Sequence, residues 1–270
     1  MLLRCYLLLL LLAEHNLVGQ RKGREAVRNI KLLIEYDGTN YAGWQRQKNV
    51  MTIQEKIESA IEEITGEKTQ ITGSSRTDAG VHAKGYTGNF YTNSKIPVEK
   101  FTGAINSQLP RDIVILHCYE VPTEFHSRYN STGKMYSYTI LNRYEDVAVG
   151  RNYIYHHKWI LDVVAMKEAS DYFIGTHDFS AFKNLGSSVK TSVRTITRLD
   201  IVKNEDTIKI YIAADGFLYN MVRIIVGALV RVGEGKIKPN EIRNIIESKE
   251  RSKAGKSVPP GGLCLEEVFY

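Results

Sequence analysis

The chain has little cysteine: Cys5, Cys118 and Cys264 stand far apart in 270 residues, with no C-x-x-C pair. That excludes a disulfide framework and a cysteine zinc site, and it points to a reducing compartment. The seven histidines include no H-E-x-x-H, so a zincin helix is excluded too. No phosphate-binding loop of the Walker type occurs. In its nearest approach, Gly233-Glu234-Gly235-Lys236, Ile237 follows the lysine and Val230 occupies the place of the first glycine. A Rossmann fingerprint, internal repeats and low-complexity linkers are likewise missing. So are long hydrophobic runs. In the leucine-rich start, residues 5–13 make an apolar stretch of nine, far short of the about 20 that a spanning helix needs. Arg4 is a weak basic start for a signal peptide, and no small-x-small cleavage pair follows. Residues 1–27 are therefore expected to be an extension outside the fold.

What is present describes an ordinary globular chain. The apolar share is 43% and the charged share 24%, enough to bury a core. Net charge is +6, and +4 without residues 1–27, a modest basic excess that leans towards nucleic acid or an anionic surface.

Regular patterning starts near residue 28. Residues 29–35 (NIKLLIE) read as a strand leading into a turn at Tyr36-Asp37-Gly38-Thr39. Thr52-x-x-Glu55 makes a capping box, Ile53, Ile57, Ala60, Ile61 and Ile64 follow at helical spacing, and Gly66 is the stop. A strand over 69–73, a polar loop over 74–82 and a strand over 86–92 come next. A helix opened by Pro97 must end before Pro110, and 112–120 reads as a strand, giving two βαβ-like passes. In the second half, strands are expected at 134–141 and 263–270 and a hairpin at 196–203 with 207–214. Helices are expected at 163–174, 217–232 and 240–248. The whole reads as α+β: two domains, 28–124 and 125–270, sharing an antiparallel-rich sheet.

The most informative stretch is GSSRTDAGVH, residues 73–82. Small and polar residues bracket Asp78, and Arg76 is near enough to hold a carboxylate ionised or to meet a phosphate. An isolated R-T-D is more simply a surface turn in which the aspartate caps an amide. Phe125-His126-Ser127-Arg128-Tyr129, followed by Lys134-Met135-Tyr136-Ser137-Tyr138, interleaves basic and aromatic groups. That pattern suits stacking on bases while cations meet phosphates, and equally a strand with aromatics in the core. Arg223 is alone among apolar residues until Arg231, a setting in which a cation has a carboxylate or phosphate partner or snorkels at the helix edge. His156-His157 has no metal-ligand partners at useful spacing and reads as surface.

Taken in order, these segments resemble the bacterial tRNA pseudouridine synthase A (TruA) family, from Arg28 to Tyr270. The carriers are IEYDGTNYAGWQ at 34–45, RTDAGVHA at 76–83, FHSR at 125–128, K-x-Y-x-Y at 134–138, GTHDFSAF at 175–182, GFLYNMVR at 216–223 and PPGGL at 259–263. The resemblance implies the pseudouridine synthase fold: two α/β-sandwich-like domains sharing a mixed, mainly antiparallel sheet with a central cleft. It also implies an isomerase that turns uridine into pseudouridine at tRNA positions 38, 39 and 40, in the anticodon stem-loop. By the same resemblance Asp78 is the catalytic aspartate, Arg223 its partner, and Tyr136 the tyrosine that stacks on the flipped base and takes the C5 proton. Arg76 helps extrude the target nucleotide. His82, Arg128, Lys134, Arg194 and Arg198 are candidates for RNA contact. No cofactor or metal is implied. The implied partners are tRNA and a second copy of the chain as a homodimer, with no membrane and a cytoplasmic location. Tyr86 and Cys264 depart from the family pattern, at positions where glutamine and tyrosine are common. Two other readings compete: a tRNA-binding protein without catalysis, and a glycoside hydrolase in which Asp178 would be the second carboxylate.

Overall fold

A computed structural model describes residues 27–184, 186 and 189–270. The extension expected at 1–27 thus lies, but for Val27, outside the described residues. Alternating apolar positions place Ile30, Leu32, Ile34 and Tyr36 on one face of β1 (Arg28–Tyr36), the period-2 pattern of a half-buried strand. Thr52 caps α1 (Ile53–Thr65) by accepting the Glu55 N–H, and Gly66 ends it at φ 71°. Both ends are as expected. The strand expected at 69–73 shrinks to β2 (Thr72–Gly73), whereas β3 (His82–Thr92) starts four residues earlier than its pattern suggests. Then come α2 (Val98–Asn106) and β4 (Ile113–Val121).

The second half supplies β5 (Gly133–Leu141), the short β6 (Tyr155–His156), α3 (Val163–Asp171) and β7 (Gly175–Asp178). The hairpin follows as β8 (Val193–Asn204) and β9 (Thr207–Ala214), then α4 (Met221–Gly233), α5 (Glu241–Ser248) and β10 (Leu263–Phe269). Among the described residues no helix is long and apolar enough to cross a membrane.

The strands form one mixed, mainly antiparallel sheet in the order β4-β1-β3-β10-β5-β9-β8-β7, with β2 beside β3 and β6 beside β5. Of the two βαβ-like passes, β3-α2-β4 is a split one: both strands run antiparallel to β1, which lies between them. The other is not a parallel pass, because β1 and β3 are antiparallel neighbours. β10 is the pivot. It pairs with β3 in parallel through Cys264↔His82 and Leu265↔Ala83, and with β5 antiparallel along its length.

Register carries one apolar face across the whole sheet. Tyr36 is opposite Ala83, Ala83 opposite Leu265, Leu265 opposite Tyr136, Tyr136 opposite Ile212, and Ile212 opposite Leu199. These residues and the buried faces of all five helices belong to one core. α1 and α2 pack together at the β4 side, and α3 and α4 pack together over β8. Between the two groups lies the stretch of β3, β10 and β5 on which the candidate site is built.

Candidate active site

The loop over residues 74–81 is pinned along its length. Ser74 N–H donates to Thr87 O at 2.9 Å, and the Tyr86 hydroxyl donates to Ser75 O. Trp44 N–H donates to Thr77 O at 3.1 Å, while the Tyr36 hydroxyl and Thr77 Oγ1 lie 2.8 Å apart. Beneath it Trp44 and Tyr86 stack at 3.9 Å. Tyr86 is fully buried and serves as a prop for the loop backbone. Gly43 closes the other side at φ +95°, and a Cβ there would stand 2.4 Å from Thr77 O and 3.1 Å from the Asp78 carbonyl carbon. Only glycine fits that backbone without moving the loop.

The loop aims Asp78 at Arg223. The guanidinium Nη1 donates to Asp78 Oδ2 at 3.3 Å, with the two side chains 16% and 30% exposed. Arg223 is itself aimed: Nε donates to Val258 O at 2.8 Å, and Nη1 to Asn220 Oδ1 at 2.7 Å. Asn220 holds φ 61° just before α4, a left-handed position that asparagine tolerates better than most residues. That turn is why α4 starts at Met221 and not at Phe217, as the apolar pattern suggests. Burial pushes the Asp78 carboxyl above the ordinary aspartate range, and the Arg223 charge opposes it.

Tyr136 stands on the same sheet face, almost fully buried, with Phe217 edge-on at 5.2 Å. Burial pushes its phenol up to about 12, and the Asp78 charge adds to that. The buried Ser74 and Ser75 hydroxyls lie close to the phenols of Tyr86 and Tyr136, and Ser75 favours the ionised form of Tyr136.

Two positions upstream, Lys134 lies on the same face as Tyr136, and its residue is 9% exposed. Burial lowers its ammonium pKa, and the charges of Arg128 and Arg194 lower it further. Among the described residues no carboxylate forms an ion pair with these three side chains in the way Asp78 pairs with Arg223, so positive charge gathers here. Arg76 is exposed at the rim of the loop.

The structure does not bring the other two candidates to Asp78, Arg223 and Tyr136. His82 is buried behind the loop. Its Nδ1 accepts the Gly38 N–H at 3.1 Å and lies 3.0 Å from Asp37 Oδ1, and its Nε2 lies 3.0 Å from Asn152 O. Nδ1 braces the turn at Asp37, and Nε2 ties the ring to the short turn at Arg151–Tyr153. Arg198 is opposite Ala213, on the far face of the sheet, where it pairs with Asp200 and covers the Tyr211 ring. His157, read from sequence as surface, is buried instead: its Nε2 lies 3.2 Å from Glu234 Oε1. Asp178 is occupied by Ser180 and by Lys249 at 3.0 Å. It sits on β7, five strand spacings or about 24 Å of sheet from β3, so a glycosidase pair with Asp78 has no geometric support. Among the described residues no group of three or more His, Cys, Asp or Glu side chains is arranged to hold a metal.

Sequence reading missed Ser75, Asn220, Phe217 and the Val258 carbonyl as parts of the site. Asn220 was the one with a signal, as a turn-former just ahead of an apolar run.

A carboxylate paired with a guanidinium, a buried phenol and a cluster of three cations thus share one sheet face, the setting of an enzyme site. The model of a family described as tRNA pseudouridine synthase matches residues 32–130 and 169–270. The tRNA pseudouridine synthase A 2 of Clostridium perfringens is 60% identical over 244 residues, 90% of this chain and 100% of the relative. The tRNA pseudouridine synthase A of Clostridium acetobutylicum is 57% identical and that of Acetivibrio thermocellus 54%, each with the same coverage. The chain belongs to the tRNA pseudouridine synthase family, in its bacterial A branch.

Proposed function

We propose that the protein isomerises uridine to pseudouridine at positions 38, 39 and 40 of the tRNA anticodon stem-loop. The single observation that carries the reading is the 3.3 Å pair of Asp78 and Arg223 on the face that also presents Tyr136. The ionised Asp78 carboxylate attacks the nucleoside or steadies positive charge at C1′ as the bond from C1′ to N1 breaks. Arg223 keeps that carboxylate charged despite its burial. The freed uracil turns on the Tyr136 ring and rejoins C1′ through C5. Tyr136 then takes the C5 proton while handing on its own. C5 loses one proton and N1 gains one, so the reaction needs no net acid or base.

Arg128, Lys134 and Arg194 are assigned to the RNA backbone and Arg76 to extruding the nucleotide. His82 is assigned to positioning the catalytic loop, and Arg198 is left out of the RNA set. The two halves 28–124 and 125–270 act as domains around the cleft, and the protein works as a homodimer in the cytoplasm.

The test uses unmodified tRNA carrying tritium at C5 of its uridines. Purified protein should release label in step with pseudouridine at positions 38–40, and Asp78→Asn should release none while still binding tRNA. Label release by the Asp78→Asn protein would refute the role given to Asp78.

A further inference from the structure

The turn between β4 and β5 carries a feature that the reaction above does not use. Tyr129 is 77% exposed, yet its ring is not free to swing. It stacks on the His126 imidazole, centroids 4.2 Å apart and planes 29° from parallel. The imidazole is held in turn, because its Nδ1 accepts the backbone N–H groups of Arg128 and Tyr129, both at 3.2 Å. His126 N–H donates to Asn130 Oδ1 at 2.7 Å, and Asn130 N–H returns a bond to His126 O at 3.0 Å.

The turn is braced to three strands. Ser127 is fully buried, its N–H donating to Asn89 Oδ1 at 2.9 Å and its hydroxyl to Thr72 O. Thr132 N–H donates to Phe269 O at 2.9 Å. Just beyond the last described strand, the Tyr270 hydroxyl donates to Ser127 O at 2.6 Å. Thr72 belongs to β2, whose next residues are the catalytic loop itself. The turn that carries Tyr129 is therefore hydrogen-bonded to Thr72, six residues ahead of Asp78.

An isolated exposed aromatic is ordinary on a protein surface. A ring fixed with one face towards solvent, next to a cation cluster, is the footprint of a nucleotide: π-face for the base, cations for its phosphate. Arg128 adjoins Tyr129 in sequence and shares its charge field with Lys134 and Arg194. We propose that Tyr129, backed by His126, is a stacking platform for an unpaired nucleobase next to the uridine that enters the site. This rests on the proposed function, since it takes the substrate to be RNA. It adds a binding subsite and gives the turn a role in holding the strand open after a base leaves the stack. Stacking tolerates any base, so the platform serves several target positions without reading sequence.

The experiment uses the full-length protein and an anticodon-arm RNA with 2-aminopurine beside the target uridine. Fluorescence is read with Asp78→Asn protein, so that no turnover occurs. Binding should quench the probe. Adding Tyr129→Ala should abolish the quench and raise Kd about tenfold, whereas Tyr129→Phe and Tyr129→Trp should keep both. In active protein Tyr129→Ala should raise KM by a similar factor with kcat little changed, and its melting temperature should match the parent because the ring buries little. Unchanged KM and quench in Tyr129→Ala would overturn the platform, as would a Tyr129→Phe protein as weak as Tyr129→Ala. If the parent forms pseudouridine and only these variant results fail, the stacking subsite alone is wrong. If the parent forms none in the anticodon arm, the substrate reading is wrong and the subsite goes with it.

Discussion

At the scale of single residues the site sets two opposed demands on Asp78. Burial raises its carboxyl pKa and Arg223 restrains the rise. A raised acid is charged in the fold at a cost, and that cost disappears as pH falls through the folded-state pKa. Asp78→Asn, neutral at every pH, should therefore melt no lower than the parent at neutral pH although it is inactive. Matched thermal scans check this. Activity follows the ionised form, so the acid limb of kcat/KM should lie above the ordinary aspartate range. Arg223→Gln should shift that limb upwards by about 1–3 units. A limb that stays in place in the variant's pH–rate profile would show that Arg223 does not set the charge. Tyr136 makes a separate demand. Its phenol, pushed up to about 12, is neutral at physiological pH, and the hydroxyl is what Tyr136→Phe removes. Steady-state kinetics should show kcat falling about 10²–10⁴-fold with KM nearly unchanged, since the ring still stacks.

Among the elements, the loop over 74–81 matters because it is held from both sides by residues far away in sequence. Gly43→Ala puts a Cβ against Thr77 O and should move Asp78 relative to Arg223. The expected result is a stability loss of about 1–3 kcal/mol together with a kcat loss larger than unfolding explains. Denaturant melts and single-turnover rates separate the two. The elements also show why some of this molecule was readable beforehand. α1 was legible because its cap, its isoleucine spacing and its stop all lie within the helix and its two flanks. The hairpin of β8 and β9 was legible from its three-residue break. The start of α4 was not, because Phe217 and Leu218 are as apolar in a turn as in a helix, and only the left-handed backbone of Asn220 decides it. β7 was missed since Gly175–Asp178 shows neither helical nor alternating spacing. Within the site, the run around Asp78 taken alone reads as a surface turn, and only the ordered set of motifs singles that residue out. The Val258 carbonyl that aims Arg223 was not legible, because a backbone group leaves no mark on side-chain identity. Nor could sequence spacing tell which face of β8 Arg198 would take, since the irregular register between Ile196 and Arg198 turns it over.

For the whole molecule, a net charge of +6 is too small to bind RNA by diffuse attraction, so location matters more than amount. Lys134→Met keeps the packing of a nearly buried stem and removes one cation. It should weaken tRNA binding and lower the slope of log Kd against log salt by roughly 0.7–0.9, in filter binding across a salt series. An unchanged slope would take Lys134 out of the phosphate contacts. One further consequence concerns time, and it comes from β10. This strand lies in the middle of the sheet, yet it is translated after every other strand described. Until it emerges, β3 and β5 present unpaired edges facing each other across a gap, the condition in which strands find wrong partners. Asp78 reaches the ribosome exit well before Arg223, and the seam joining their surroundings is sewn last. The pairings that join the surroundings of Asp78 to those of Arg223 therefore wait on one seven-residue strand that must enter between two neighbours already in place.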